Sequence, residues 1–432
     1  MTYTFKLARR AALLRSQMAG APRSALLLAA VLATASCDPD RSTGPANPGA
    51  DVQLADAVES GPGLAVGANL ISIVPTQSIQ AKVNSYPAGT QFLIKTGTHF
   101  NQRIVPKSGN VFIGEAGAIL DGKNSTPYAF EKGGKPYPNN VHIKGLIIQN
   151  YASPDQHGAI MAGTSKTSST SGWIIENCEI RYNAHSGIKL GNKMKVLNNN
   201  IHHNKQIGIS GSGDSVLVEG NEISFNNYLK IFPFGHVLGG AKFVDTRGLV
   251  VRNNNVHDNQ GNGLWMDIDN IYAMIENNTA TNNSGAGIMH EIGYDATIRN
   301  NTAKGNGYAR DWVTGAGILI SASANVTVYG NTVLDNKQGI VGIQQFRTKN
   351  GVDYSYNLKN LYVHNNTVRV KTGGVSGVAS GTGTATYTSR NNRYQSNSYD
   401  LGSDAKPYTW MGGKRTKSEW QNYGNDVSGT FN

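Results

Sequence analysis

Residues Gly263–Asn278 read Gly-Leu-Trp-Met-Asp-Ile-Asp-Asn-Ile-Tyr-Ala-Met-Ile-Glu-Asn-Asn. Leu264, Met266 and Ile268 alternate with Trp265, Asp267 and Asp269, the period of a β-strand with one apolar face and one face of an indole and two carboxylates. The second half, Ile275-Glu-Asn-Asn-Thr-Ala280, returns along the chain in outline: an aliphatic residue, two variable ones, an Asn, one more, then a small or branched apolar residue.

The matching segments are Ile175–Ile180, Val196–Ile201, Val218–Ile223, Val251–Val256, Ile298–Ala303, Val328–Val333 and Val363–Val368. Their fourth positions hold Cys178, Asn199, Asn221, Asn254, Asn301, Asn331 and Asn366, with Asn278 in the quoted stretch. Where no insertion intervenes the interval is about 21 to 24 residues, the period of a solenoid. Stacked rungs would bring these Asn side chains about 4.8 Å apart, close enough for a hydrogen-bonded ladder. A second set of strands opens on Gly: Gly187-Ile-Lys-Leu, Gly208-Ile-Ser, Gly287-Ile-Met-His, Gly317-Ile-Leu-Ile and Gly339-Ile-Val.

Composition agrees, since 51 Gly and only 16% charged residues suit short strands and tight turns. Because a solenoid grows by adding rungs, 432 residues imply one long domain, expected over 67–432 with a C-terminal cap from about 395. Lys6, Arg9, Arg10, Arg15 and Arg23 precede the apolar run Ala25–Ala33, an export signal over 1–36. Ala35-Ser36-Cys37 suits lipidation at Cys37, with cleavage by ordinary signal peptidase as the alternative. The protein is thus expected as an envelope lipoprotein or a secreted one, meeting a membrane only through that lipid. Residues 37–66 read as a flexible tether. The formal charge of +11 falls to about +6 once the five basic leader residues are gone, a mild attraction for acidic polymers. Lys and Arg form no stripe, which argues against nucleic acid. With Cys178 the only cysteine besides Cys37, no structural disulfide is expected. A helix over Gln77–Tyr86 and a strand over Thr90–Lys95 would cap the first rung, and regular rungs are expected to about Val370.

The Gly-Ile strands, the Asn column, the leading helix with Pro87-Ala-Gly-Thr90, and the tail Trp410-Met-Gly-Gly with Glu419-Trp420-Gln resemble the right-handed parallel β-helix proteins of the pectate-lyase-like superfamily. The resemblance implies an all-β, right-handed parallel β-helix. It also implies the activities of that superfamily, mostly polysaccharide lyases, glycoside hydrolases and uronate epimerases. Neither the Asn-Thr-Asp, Asp-Asp, Gly-His-Gly series of polygalacturonases nor the Asp-Pro-His of alginate epimerases is present, so the subfamily stays open.

Three consecutive rungs depart from the apolar pattern: Ala241–Asp245, Trp265–Asp269 and Met289–Asp295. Longer Asn intervals, about 33 and 30 residues, place insertions at Tyr228–Leu238 and Tyr308–Thr314 on either side of them. These loops should wall a groove with Phe232, Phe234 and His236 on one side and Arg310 and Trp312 on the other, unless their rings only pack the loops down. Substrate-binding candidates are Trp265, Tyr294, His236, Arg310 and Trp312; catalytic candidates are Asp267, Asp269, Glu291, Lys242 and His290. On an extended strand Asp267 and Asp269 would lie about 6.5–7 Å apart, and Asp267 and Glu291 on adjacent rungs about 5 Å.

That cluster suits a lyase, with Lys242 or His290 removing the proton α to a uronate carboxylate and Ca²⁺ on Asp267, Asp269 and Glu291 neutralising that carboxylate. It also suits an inverting hydrolase, whose carboxyls stand about 6.5–9.5 Å apart, or an epimerase. The expectation is a monomeric enzyme cleaving an acidic polysaccharide by β-elimination; a noncatalytic glycan-binding surface protein is the alternative outside enzymes. Three plainer roles compete: His290 as a core histidine, Lys242 as the ion-pair partner of Asp267 alone, and Asp269-Asn270 as an Asx turn.

Overall fold

The computed structural model describes residues 70–432 apart from 235, 311, 347, 350–351, 354–355, 381–382 and 401. The export signal, the tether and Cys37 lie outside the described residues. Within them the chain winds through three long sheets of 13, 13 and 12 strands, parallel except for the pair Tyr408–Trp410 and Gly413–Arg415 that ends the third. The first sheet collects segments such as Ile174–Glu176 and Met274–Glu276, the second Glu179–Arg181 and Thr279–Thr281, the third the Gly-led strands. Register follows the sequence alignment, with Ile175 beside Val196, Val196 beside Val218 and Val251 beside Ile275. These aliphatic columns fill the interior between the sheets.

The sharp bend between the first two sheets explains the Asn-Asn dipeptides. The first residue takes a left-handed backbone, as Asn198 (φ 53°), Asn253 (φ 56°) and Asn277 (φ 55°) do, and Gly220 supplies the same conformation in its rung. The second turns inward. Asn199, Asn221, Asn254, Asn278, Asn301, Asn331 and Asn366 each donate from Nδ2 to the Oδ1 of the next residue in the column at 2.9–3.0 Å. Cys178 stands at the head of the column, where its backbone N–H donates to Asn199. Burial pushes its thiol up to about 12, which suits an inert thiol.

A second ladder, five residues further along each rung, was not read from the repeat. Asn183, Asn204, Asn226, Asn259, Asn283, Asn306 and Asn336 are linked in the same way at 2.8–3.0 Å across the bend into the third sheet. The two ladders fix both ends of the second sheet's strands and so fix where each third-sheet strand begins.

The N-terminal helix is Ile79–Ser85, capped by Ser78 and burying Ile79 and Val83 in the core. Regular winding does not stop near Val370. The first ladder continues to Asn397 and ends on Asp426, a buried carboxylate that also accepts from Tyr399 and Trp420. Its closing helix Lys417–Asn422 carries a capping box between Thr416 and Glu419.

Candidate active site

The third-sheet strands Gly239–Arg247, Asn262–Asp267 and Ile288–Glu291 lie side by side. Their register sets Lys242 beside Trp265 beside Met289, and two positions further Val244 beside Asp267 beside Glu291. Phe243, Met266 and His290 form the inward column between these two. Strand alternation therefore decides which ionisable groups reach the groove.

Lys242 reaches along its face so that Nζ lies 2.7 Å from Asp267 Oδ2 and 3.6 Å from the centre of the Trp265 ring. The two side chains are only 10% and 8% exposed, so this is a largely desolvated ion pair with a cation–π contact. Glu291 occupies the adjacent rung at the level of Asp267 and is equally withdrawn from water. Together they border a cavity of about 410 Å³, within the size range of small-ligand sites.

The inserted loops wall this cavity as expected. Phe234 and His236 line one side, Arg310 and Thr314 the other, and the Arg310 guanidinium sits 4.4 Å from the centre of the Phe234 ring. Beyond Trp265 the floor becomes apolar through Met289 and Ile343, which belong to a small hydrophobic cluster on the outer face of the sheet. The side chain of Trp312 lies outside the described residues.

Three candidates leave the set. His290 faces the core, wholly buried, with Nδ1 3.1 Å from Ser323 Oγ, and burial lowers its pKa to about 4. It is a core histidine, not a base in the groove. Asp269 does not share a strand face with Asp267, because the strand ends at Asp267: Ile268 (φ 50°) and Asp269 (φ 56°) both take the left-handed conformation. Asn270 then turns inward, donating from Nδ2 to the carbonyls of Asp267 and Phe243, while Asp269 accepts from the Tyr356 hydroxyl at 2.9 Å. Tyr294 packs at a tilt against Tyr356 beside this turn, ring centres 5.9 Å apart, and does not line the cavity.

The expected Ca²⁺ set therefore does not fit, since Asp269 diverges from Asp267 and Glu291; among the described residues no group of three His, Cys, Asp or Glu is arranged to hold a metal ion. The same divergence removes the strand spacing on which inverting hydrolysis rested.

A left-handed backbone at Ile268 (φ 50°) and at Ile292 (φ 42°) is costly for β-branched residues, and both line the cavity directly after Asp267 and Glu291. The sequence carried no sign of this strain. It also hid Lys189, which lies in the same outward column as Lys242 with only Ser210 between; aligning Gly187-Ile-Lys with Gly240-Ala-Lys was the available signal.

The family described as right-handed beta helix region matches residues 157–333. By sequence, no curated protein matches significantly. Among solved structures, the A-module of the Azotobacter vinelandii mannuronan C-5 epimerase AlgE4 superposes with a TM-score of 0.59 at 15% identity, over 77% of this chain and 93% of that one. XylC in complex with xylose gives 0.57 at 11% identity, over 78% and 84%. A mannuronic acid specific polysaccharide family 6 lyase from human gut microbiota gives 0.51 at 13%, over 79% and 82%. At such identities the likeness is one of winding, not of chemistry. On that shared winding the chain is a right-handed parallel β-helix.

Proposed function

We propose that this protein is a carbohydrate-active enzyme that cleaves a uronate-containing polysaccharide by β-elimination in the groove over Lys242, Trp265, Asp267 and Glu291. The observation that carries the reading is the desolvated Lys242–Asp267 pair beside a second carboxylate. Two of the structurally similar proteins, a mannuronan C-5 epimerase and a mannuronic acid specific lyase, act on uronates and lend it support.

Lys242, charged against the Asp267 carboxylate, has a proton to give and no free electron pair with which to take one. In this scheme Arg310, in the wall, faces the substrate carboxylate and makes the neighbouring C–H more acidic. Glu291 takes that proton. The electron pair forms the new carbon–carbon double bond, the bond to the glycosidic oxygen breaks, and the departing oxygen receives a proton from Lys242. Asp267, between the two, then returns the proton from Glu291 to Lys242.

Retaining hydrolysis is the second reading, favoured by carboxylates on adjacent rungs, since that chemistry uses a separation of about 5–5.5 Å. Incubation with pectic, alginate, glycosaminoglycan and neutral polysaccharides tests the proposal. Unsaturated uronate absorbance rising together with reducing ends supports elimination; reducing ends alone would move the assignment to hydrolysis.

The leader and Cys37 make the same reading an envelope or secreted activity. Mass spectrometry of the cell-associated protein checks this, since an unmodified Cys37 would remove the lipid anchor.

A further inference from the structure

Away from the Lys242–Asp267 pair, the third sheet carries a second group of ionisable residues, on the N-terminal side of the 228–238 loop. Lys189 projects from the strand Ser186–Lys189, two rungs before Trp265's neighbour Lys242, about 9–10 Å away along the stack. The intervening residue of the column is the small, buried Ser210, whose hydroxyl lies 3.1 Å from that of Ser186. Asp155 and His157, from the bend before the preceding strand, lie within electrostatic reach of Lys189, His185 lies near His157, and Tyr128 meets His157 Nδ1 at 2.8 Å.

Among the described residues the Lys189 ammonium has no hydrogen-bond or ion-pair partner, although much of it is withdrawn from water. Other lysines on this face are matched: Lys242 by Asp267, and Lys166 by both Asp214 and Asp245 at 3.0 Å. Asp155, the nearest carboxylate, instead accepts from Gln206 at 2.9 Å. A half-buried cation with no direct counter-charge bears a desolvation cost that the more distant Asp155 offsets only in part, and a bound anion would remove it. Burial first, and then the charge of Lys242, bring Lys189 down to about 8. The loop joins this cluster to the groove, with Phe232 against His185 and Phe234 against Arg310.

We propose that Lys189, flanked by His157 and Tyr128, forms a second anion subsite that takes a carboxylate of the same acidic polysaccharide chain whose reacting sugar lies over Lys242 and Asp267. This rests on the proposed groove. It makes the enzyme one that prefers oligomers long enough to reach both lysines.

The test uses alginate and polygalacturonate oligosaccharides of graded length on the Asp267→Asn protein, with dextran as the neutral control. Two signals are followed: acetylation of Lys189 by mass spectrometry, and the tryptophan fluorescence change that Trp265→Phe abolishes. Expected is acetylation of Lys189 ahead of the paired lysines at neutral pH, slowed by long oligouronates and not by disaccharides or dextran. Added to the Asp267→Asn background, Lys189→Met should weaken binding of the long oligomers about tenfold or more, leave the short ones unchanged, and be rescued by Lys189→Arg. If long oligouronates change the Trp265 signal while Lys189 acetylates undiminished, the subsite is wrong and the groove stands. No response at either position would overturn both.

Discussion

At the residue scale the site is decided by which way neighbouring side chains face. Lys242 and Asp267 form a buried pair, so removing one partner should cost stability as well as activity. Asp267→Asn is expected to lose at least about a hundredfold in turnover and to destabilise by about 1–3 kcal/mol, read by activity and urea unfolding. The double variant Lys242→Met with Asp267→Leu should recover most of that stability and none of the turnover, which separates the pair's two roles. His290 gives a pH signature of another kind. Burial holds the folded pKa at about 4, against the ordinary 6.5, so the unfolded chain binds the extra proton between those values. Its contribution is complete above about pH 6.5 and is lost as pH falls toward 4, up to about 3 kcal/mol. That slope, measured by unfolding between pH 4 and 7, should be missing in His290→Gln. The sequence left His290 between two readings, as it lies between Ile288 and Ile292 on an alternating strand; the register of Met266 beside His290 and its complete burial settle it.

At the element scale the first Asn column was legible because each Asn recurs at nearly constant spacing beside an aliphatic column. The second was hidden although equally regular, since the bend it serves is preceded by residues as different as Tyr182, His203, Phe225 and Asp258 in the left-handed conformation. Both ladders should behave alike under mutation. Asn278→Ala and Asn283→Ala each orphan a buried N–H and a buried C=O of the preceding rung, so a loss of about 2–4 kcal/mol in unfolding free energy is expected for either. The strand end at Asp267 was misread for a related reason. Ile268 continues a strand pattern, and nothing in an isoleucine announces a left-handed backbone. Replacing it by Asn, which tolerates that conformation and costs little burial at a side chain 40% exposed, should raise stability by about 1 kcal/mol. A loss from Ile268→Asn would mean that the strain is not where the backbone angles put it.

At the scale of the whole molecule, a solenoid makes each rung a shelf on which one column can be altered without disturbing the winding. That is why the repeat gave the fold while the chemistry had to be sought where the repeat breaks, at three rungs and two insertions. The insertions were readable as longer Asn intervals, and their contact through Phe234 and Arg310 closes the groove over those rungs. Their effect on binding is separable from chemistry: Arg310→Ala should raise KM more than it lowers kcat if it mainly walls the groove, and lower kcat as strongly if it meets the reacting sugar's carboxylate, as the elimination scheme requires. The most direct test of that scheme is proton NMR of an acidic polysaccharide turned over in deuterium oxide by the unaltered protein and by Asp267→Asn. The account predicts a vinyl proton from the unsaturated uronate with the first and none with the second. New reducing ends without a vinyl signal, deuterium entering the sugar at the carbon beside its carboxylate without cleavage, or full activity in Asp267→Asn would contradict it.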